Sequence, residues 1–483
     1  AGTKPGVDET EFQEIDLVRL LAEQHIEAAQ EERAVSYLFQ AGQYADSAYA
    51  NEEAVNYFNR ALAFVSDDDR ETQWELLSAL EIVNQRLGDW EIARSNADQM
   101  LPLAEALQDS GKISIVLQRL AFWYELTGSY EEAERAIQGS IVNAQDANDV
   151  LLEARARGLW GKILWRQDRI DAGVEQRQQQ LALAHQLSDR HFEALALFQL
   201  GSVIGATGDG VQAEQLTKQA LALTEEIGDR FQTISMYEQL VVWAFSRGDY
   251  DVTERLLEKT ESLTLEFGVG TNKWFVQDFR AGVAEVKGDL VRAEKLYRLA
   301  LSELRKLGIQ AMIGITLADI GYLQAKQGRF KESLDLLGQS ATVLESISAK
   351  QQTPLVTEAR YAACLMMMGD TTAALERIEP VLEFLARDQR LYFEHALEIP
   401  AICIQVLAAN SDARLDSLVA KQHARMQKIA NSFNDAEQRR MFLENVPWHR
   451  EITAAWEALQ DRKSQQYRRT SIYDEPSEAI AFR

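Results

Sequence analysis

Four cations and six aromatic side chains are the residues of this chain best suited to chemistry, and that chemistry is recognition. Arg155, Lys162 and Arg166 follow one another at intervals of 7 and 4, which puts three positive charges on one face of a helix. Arg119 stands on the preceding segment. Phe122, Trp165, Phe198, Phe245, Phe275 and Tyr322 fall on inward-turned positions of successive segments. In a chain of net charge −25, a local cluster of guanidinium and ammonium groups suits a carboxylate, a phosphate or an acidic peptide. Aromatics exposed in a groove are common anchors for a partner. The competing reading is local: the cations can pair with acids such as Glu125 and Glu153, and the aromatics can pack between adjacent helices.

No catalytic constellation accompanies them. The histidines, His25, His185, His191, His395, His423 and His449, include no His-Glu-x-x-His or other metal-ligand spacing. There is no Gly-x-Ser-x-Gly elbow. A phosphate loop needs Gly-x-x-x-x-Gly-Lys-Ser/Thr so that free backbone amides can cradle phosphate. The nearest text, Gly158-Leu159-Trp160-Gly161-Lys162-Ile163, has the wrong spacing, lacks the hydroxyl and lies inside a predicted helix. Cys364 and Cys403 have no partner nearby and read as buried thiols of a reducing compartment, hence the cytoplasm. Met366-Met367-Met368 reads as core filling. Arg468-Arg469-Thr470-Ser471 resembles a basophilic kinase site set in a solvated tail. The chain is expected to be neither an enzyme nor the holder of a cofactor or metal.

The elements that must carry these residues declare themselves by period. Gly88, Gly128, Gly208, Gly248, Gly288 and Gly328 recur every forty residues, with Asp168 in the one broken place. A second turn follows midway, at Asn148, Ser188, Gly228, Gly268 and Gly308, and Asp149, Asp189 and Asp229 can cap the helix after it. Each unit is therefore helix–turn–helix, with helices of about 16 residues. An apolar stripe runs 5, 8 and 12 residues before the first turn: Val83, Ile163 and Leu323 in the first row, Leu80, Leu120 and Ile320 in the second, Leu76, Val116 and Met236 in the third. Seven before the turn and five after it the residue is small, as at Gly161, Gly201 and Gly321 and at Gly173, Ala213 and Ser333, which lets paired helices approach closely. One hairpin cannot bury such a stripe alone, and stacking on the next one does. Gly369-Asp370 breaks step at 41 residues; Thr353-Pro354 reads as an N-cap and first-turn proline. Pro380 is expected to kink or shorten its helix.

Composition limits the partners. A surface of net charge −25 disfavours duplex nucleic acid, which needs cations to displace counterions. No run approaches ~18 apolar residues, so no membrane span is expected. The N-terminal AGTKPGVDET lacks the order of a signal peptide and reads as a linker.

The small residue, the turn glycine and the aromatic two residues later resemble the tetratricopeptide repeat (TPR), best in LFQLGSVIGATGDGVQAEQLTKQALAL and LADIGYLQAKQGRFKESLDLL. Forty-residue versions resemble those of bacterial STAND-type signal-transduction ATPases, including the maltose-responsive activators. Residues 32–64 are similar to the junction after the ATPase and winged-helix modules of that family, and residues 436–459 to its closing segment. This resemblance implies an ATPase module in the full-length protein.

The expected fold is all-α, a right-handed TPR-like superhelical solenoid. The expected divisions are a linker over 1–11, irregular hairpins over 12–70, and seven regular repeats over 71–350. Degenerate repeats over 351–410, capping helices over 411–460 and a disordered tail over 461–483 follow. The expected function is a non-catalytic sensor or interaction domain taking a protein, a peptide or an inducer on its concave face. That face is drawn from Arg119, Phe122, Arg155, Lys162, Trp165, Arg166, Phe198, Phe245, Phe275 and Tyr322. A constitutive oligomerisation scaffold and a small-molecule receptor are the alternatives.

Overall fold

The computed structural model describes residues 18–473 apart from 19, 26, 29, 208, 268–271, 348–352 and 388–396. The linker over 1–11, the turn glycines Gly208 and Gly268, and residues 474–483 of the expected tail lie outside the described residues. The chain divides into two compact units, Ala1–Asp189 and Arg190–Arg483. Among the described residues no helix is long and apolar enough to cross a membrane.

The first unit consists of helix pairs: α1 (Glu31–Ser47) with α2 (Asn51–Leu62), α3 (Arg70–Leu87) with α4 (Trp90–Leu107), α5 (Ser110–Leu126) with α6 (Tyr130–Asp146), and α7 (Val150–Arg166) with α8 (Ile170–Leu187). The second continues with α9 (Arg190–Thr207) and α10 (Gly210–Ile227), α11 (Arg230–Ser246) and α12 (Tyr250–Phe267), α13 (Lys273–Val286) and α14 (Leu290–Leu307). After these come α15 (Gln310–Lys326) and α16 (Phe330–Ile347), then α17 (Thr353–Met367) and α18 (Thr371–Ala386). It closes with α19 (Glu398–Ala409), α20 (Leu415–Ala430), α21 (Ala436–Glu444) and α22 (Pro447–Tyr473).

Turn chemistry explains the breaks. Gly88, Gly128, Gly248, Gly288 and Gly328 all have positive φ, between 74° and 85°, which a side chain resists and glycine does not. Asp168 takes the same conformation at φ 63°, the substitute that a short polar side chain permits. At the second turns Asn148 and Ser188 have φ 52° and 55°. Asp149 then accepts from the Leu152 amide at 2.9 Å, and Asp229 from that of Gln232 at 2.9 Å.

The stripe becomes the core. Leu76, Leu80, Val83, Val116, Ile163, Met236, Ile320 and Leu323 are all buried. Apolar clusters of the repeats join one hairpin to the first helix of the next. Met100 of α4 meets Leu77 of α3 and Val116 of α5, and Ile137 of α6 meets Ala121 of α5 and Ile163 of α7. Fully burying such a side chain contributes roughly 1.5–3 kcal/mol. The small positions set the spacing within a hairpin. A methyl added at Gly161 would lie 3.1 Å from the Gly173 carbonyl oxygen, at Gly201 3.1 Å from that of Ala213, and at Gly321 3.2 Å from that of Ser333.

One expectation is met in part and another meets a different outcome. Pro380 lies inside α18, which continues past it to Ala386 and has 16 residues against 18 in α16. The helix is therefore shorter but not ended at the proline. At the C-terminus α22 runs to Tyr473, well beyond the expected limit at 460. Arg462 ties its extension to Asp416 of α20 at 2.9 Å, a contact that apolar periodicity does not register.

Candidate interaction surfaces

In the first unit, α5 and α7 present the cation cluster. Glu125, near the end of α5, is almost fully buried, with 3% of its side chain exposed. It receives two cations from α7: Lys162 Nζ at 2.9 Å on Oε2 and Arg166 Nε at 3.1 Å on Oε1. Both cations remain about one third exposed. Lys162 also lies 5.2 Å above the Phe122 ring, which is tilted against Trp90 at 6.3 Å. Arg166 lies 5.5 Å from the ring of half-buried Trp165. Arg155, two turns earlier on α7, is exposed and makes no ion pair among the described residues. Glu153 serves another cation, Arg157, at 2.6 Å.

Arg119 belongs to a separate arrangement. It reaches Glu81 of α3 at 3.1 Å and Ser78 Oγ at 2.9 Å. Burial pushes the Glu81 carboxyl up against the pull of Arg119, and it pushes the Arg119 guanidinium down. Arg119 is thus matched by one buried acid, whereas Lys162 and Arg166 share one.

In the second unit the aromatic candidates divide. Phe245 and Phe275 are buried in one cluster with Phe279, which stands 5.4 Å from Phe245 and 4.6 Å from Phe275. Gly282 gives Phe245 its space, since a methyl there would lie 2.9 Å from the ring. Phe198 is half-buried on α9. Tyr322 is half-buried on α15, with Lys326 Nζ 4.3 Å above its ring, and burial pushes its phenol up to about 12.

The second unit also holds an ion network that composition and period did not reveal. Arg360 of α17 spans Asp319 of α15 and Glu398 of α19, holding both Glu398 oxygens at 3.2 Å. Burial works against its charge, and the two carboxylates outweigh it, so the guanidinium stays firmly protonated. Lys326 holds Glu285 at 2.9 Å, and the Tyr297 hydroxyl donates to the same carboxylate at 3.2 Å. A cavity of about 90 Å³ lies among Phe245, Gly282, Glu285, Lys326, Arg360 and Trp448. The missed signal is spacing. Arg166–Glu125, Lys326–Glu285 and Arg360–Asp319 are each separated by 41 residues, one period plus one. Among the described residues no group of histidine, cysteine and acid could hold a metal ion.

Searches for relatives by sequence match neither a known family nor a curated protein. Solved structures do match. Aspartyl phosphate phosphatase F from Bacillus subtilis is 9% identical over 73% of this chain and 97% of its own, with a TM-score of 0.50. The apo form of RapI is 13% identical over 57% and 98%, at 0.48. A Rap protein complexed with competence and sporulation factor is 12% identical over 70% and 99%, at 0.47. The fold is all-α, of TPR-like helix-pair repeats. At these identities the likeness concerns fold alone.

Proposed function

We propose that the chain is a non-catalytic interaction domain that captures an acidic peptide on the α5–α7 face of its first unit. One observation carries this reading: two partly exposed cations share a single buried carboxylate, beside Phe122 and Trp165, and exposed Arg155 adds a third positive charge. The surplus charge suits a ligand carboxylate and the rings suit an apolar side chain next to it. We infer further that capture serves as the sensing step of a signalling ATPase. The resemblance of residues 32–64 and 436–459 supports that context, with nucleotide chemistry performed by another module. Transmission requires the ligand to bind two states of the array unequally.

The test uses fluorescein-labelled peptides in which Asp and Glu flank one Leu or Trp. The wild-type chain is expected to bind a member of the panel. Arg155→Glu/Lys162→Glu/Trp165→Ala is expected to lose at least tenfold in affinity while keeping its helical circular dichroism. Equal affinity in the two proteins removes the proposed face. Absence of peptide binding, with a melting shift by a small metabolite, selects the inducer receptor. Sedimentation that depends on concentration selects the oligomerisation scaffold.

A further inference from the structure

Within the second unit the chain returns to itself across 197 residues. Asn445, in the link between α21 and α22, donates its Nδ2 hydrogen to the Gly248 carbonyl at 2.9 Å. Gly248 has φ 78°, and a methyl added there would lie 2.9 Å from Asn445 Cβ, 3.0 Å from the Met441 carbonyl oxygen and 3.1 Å from Val446 Cγ2. Pro447 and Trp448 then line the cavity with Phe245, Gly282 and Lys326. Phe245 and Gly282 stand three and six residues before their turns, the offsets at which Trp165 and Phe122, both expected on the concave face, stand before theirs. The segment thus lies where a bound peptide would lie.

Its attachment differs from core packing in three ways. The apolar cluster of the C-terminal helices, around Phe442, Ile452 and Leu459, has no member before Leu397 among the described residues, so it does not extend into the hairpins that the segment covers. The contact leaves a cavity with charged walls beneath it instead of a filled interior. The Asn445 bond to the α11–α12 turn runs from a side chain to a backbone carbonyl, a contact that any carboxamide donor can reproduce.

We propose that Met441–Trp448 is a clasp occupying in cis a peptide-docking face of the second unit, and that this face accepts in trans a partner segment of the same chemistry: a carboxamide followed by a short apolar run ending in an aromatic. The clasp is independent of the acidic-peptide face, because it lies wholly in the other unit. A tethered segment competes at an effective concentration on the order of millimolar, so a free peptide enters only where the cis contact is weakened.

Four full-length proteins test this: wild type, Asn445→Ala, Gly248→Ala and Gly288→Ala. The two glycine variants share the strain of a positive φ, 78° and 85°, but nothing lies within 4 Å of a methyl at Gly288. Hydrogen exchange over residues 441–450 is expected to be at least tenfold faster in Gly248→Ala than in Gly288→Ala. A fluorescein-labelled peptide of sequence MFLENVPWHR is expected to bind Asn445→Ala at least fivefold more tightly than wild type. Gly248→Ala, whose methyl obstructs peptide and clasp alike, is expected to bind it no better than wild type. Equal exchange in the two glycine variants overturns the proposal. So does equal peptide binding, or none, in Asn445→Ala and wild type, or binding by Gly248→Ala that matches Asn445→Ala. Where Gly248→Ala does not fold, the Asn445→Ala comparison decides alone.

Discussion

Replacing Arg360 with methionine keeps most of the side-chain volume and removes the charge that two buried acids share. Arg360 is 4% exposed, and Asp319 and Glu398 are 8% and 3% exposed. Removing one partner of a buried ion pair costs about 3–5 kcal/mol, because the remaining charge stays desolvated. Here two carboxylates lose the same cation, and protonation of one of them limits the loss, so the estimate stays at about 3–5 kcal/mol. Arrays of repeats need not unfold in one step, so a single melting temperature is the wrong readout. Hydrogen exchange of α17 and α19, around Ala363 and Ile402, reports the local opening energy instead. A loss of 3 kcal/mol raises the open population on the order of a hundredfold. Arg360→Met is therefore expected to lower protection there by two orders of magnitude or more. The triple variant Arg360→Met/Asp319→Leu/Glu398→Met removes all three charges and is expected to regain most of that protection, since apolar replacement of a buried ion cluster is often neutral or stabilising. A single-variant loss of tenfold or less refutes the reasoning, and so does a triple variant as unprotected as the single one.

His449 makes the C-terminal helices sensitive to acid. It is buried, its Nδ1 lies 2.6 Å from the Phe442 carbonyl oxygen, and burial pushes its pKa down to about 4 against the partial support of that carbonyl. The unfolded chain keeps a pKa of about 6.5 and so binds a proton that the folded chain refuses between the two values. Stability from this group is full above pH 6.5 and falls as pH drops toward 4, by about 1.4 kcal/mol per pH unit within the window. Urea midpoints followed at α20–α22 are expected to decline from pH 7 to 5 in wild type and to stay flatter in His449→Gln; equal slopes contradict this. Two glycines in helix interiors are expected to respond oppositely in thermal melts. Gly201→Val presses on the Ala213 carbonyl oxygen and Leu216 Cβ, 3.1 and 3.3 Å from its Cβ, and costs about 1–3 kcal/mol. Gly338→Ala meets nothing within 4 Å and gains about 0.5–1 kcal/mol.

The period made the scaffold legible and left the surfaces half-read, for a physical reason that particular residues expose. Turn glycines and stripe residues answer to demands that recur in every unit: Gly88 and Gly328 take a positive φ, and Leu80 and Ile163 fall on one helix face that is buried against the preceding hairpin. Exposure is decided between hairpins. Phe245 and Phe122 fall on the same kind of position in different repeats, yet Phe245 is buried because Gly282 of the following repeat leaves room for its ring, while Phe122 stays half-exposed under Lys162. The clasp was beyond any periodic reading, since Asn445 and Gly248 are far apart in the chain and share no register. The cations are the intermediate case. Arg166–Glu125 and Arg360–Asp319 join successive first helices at a separation of 41, so a search for acid and base one period apart would have found both pairs. Such a search also separates charge matched within the fold from charge left in excess. Arg360 faces two carboxylates and is consumed by the fold, whereas Lys162 and Arg166 divide one carboxylate between them, the excess of charge on which the proposed peptide face rests. On an inner face built from repeats, a cation in excess of its inter-repeat partners is therefore a sharper pointer to a ligand than an aromatic side chain, whose exposure one glycine in the next hairpin can reverse.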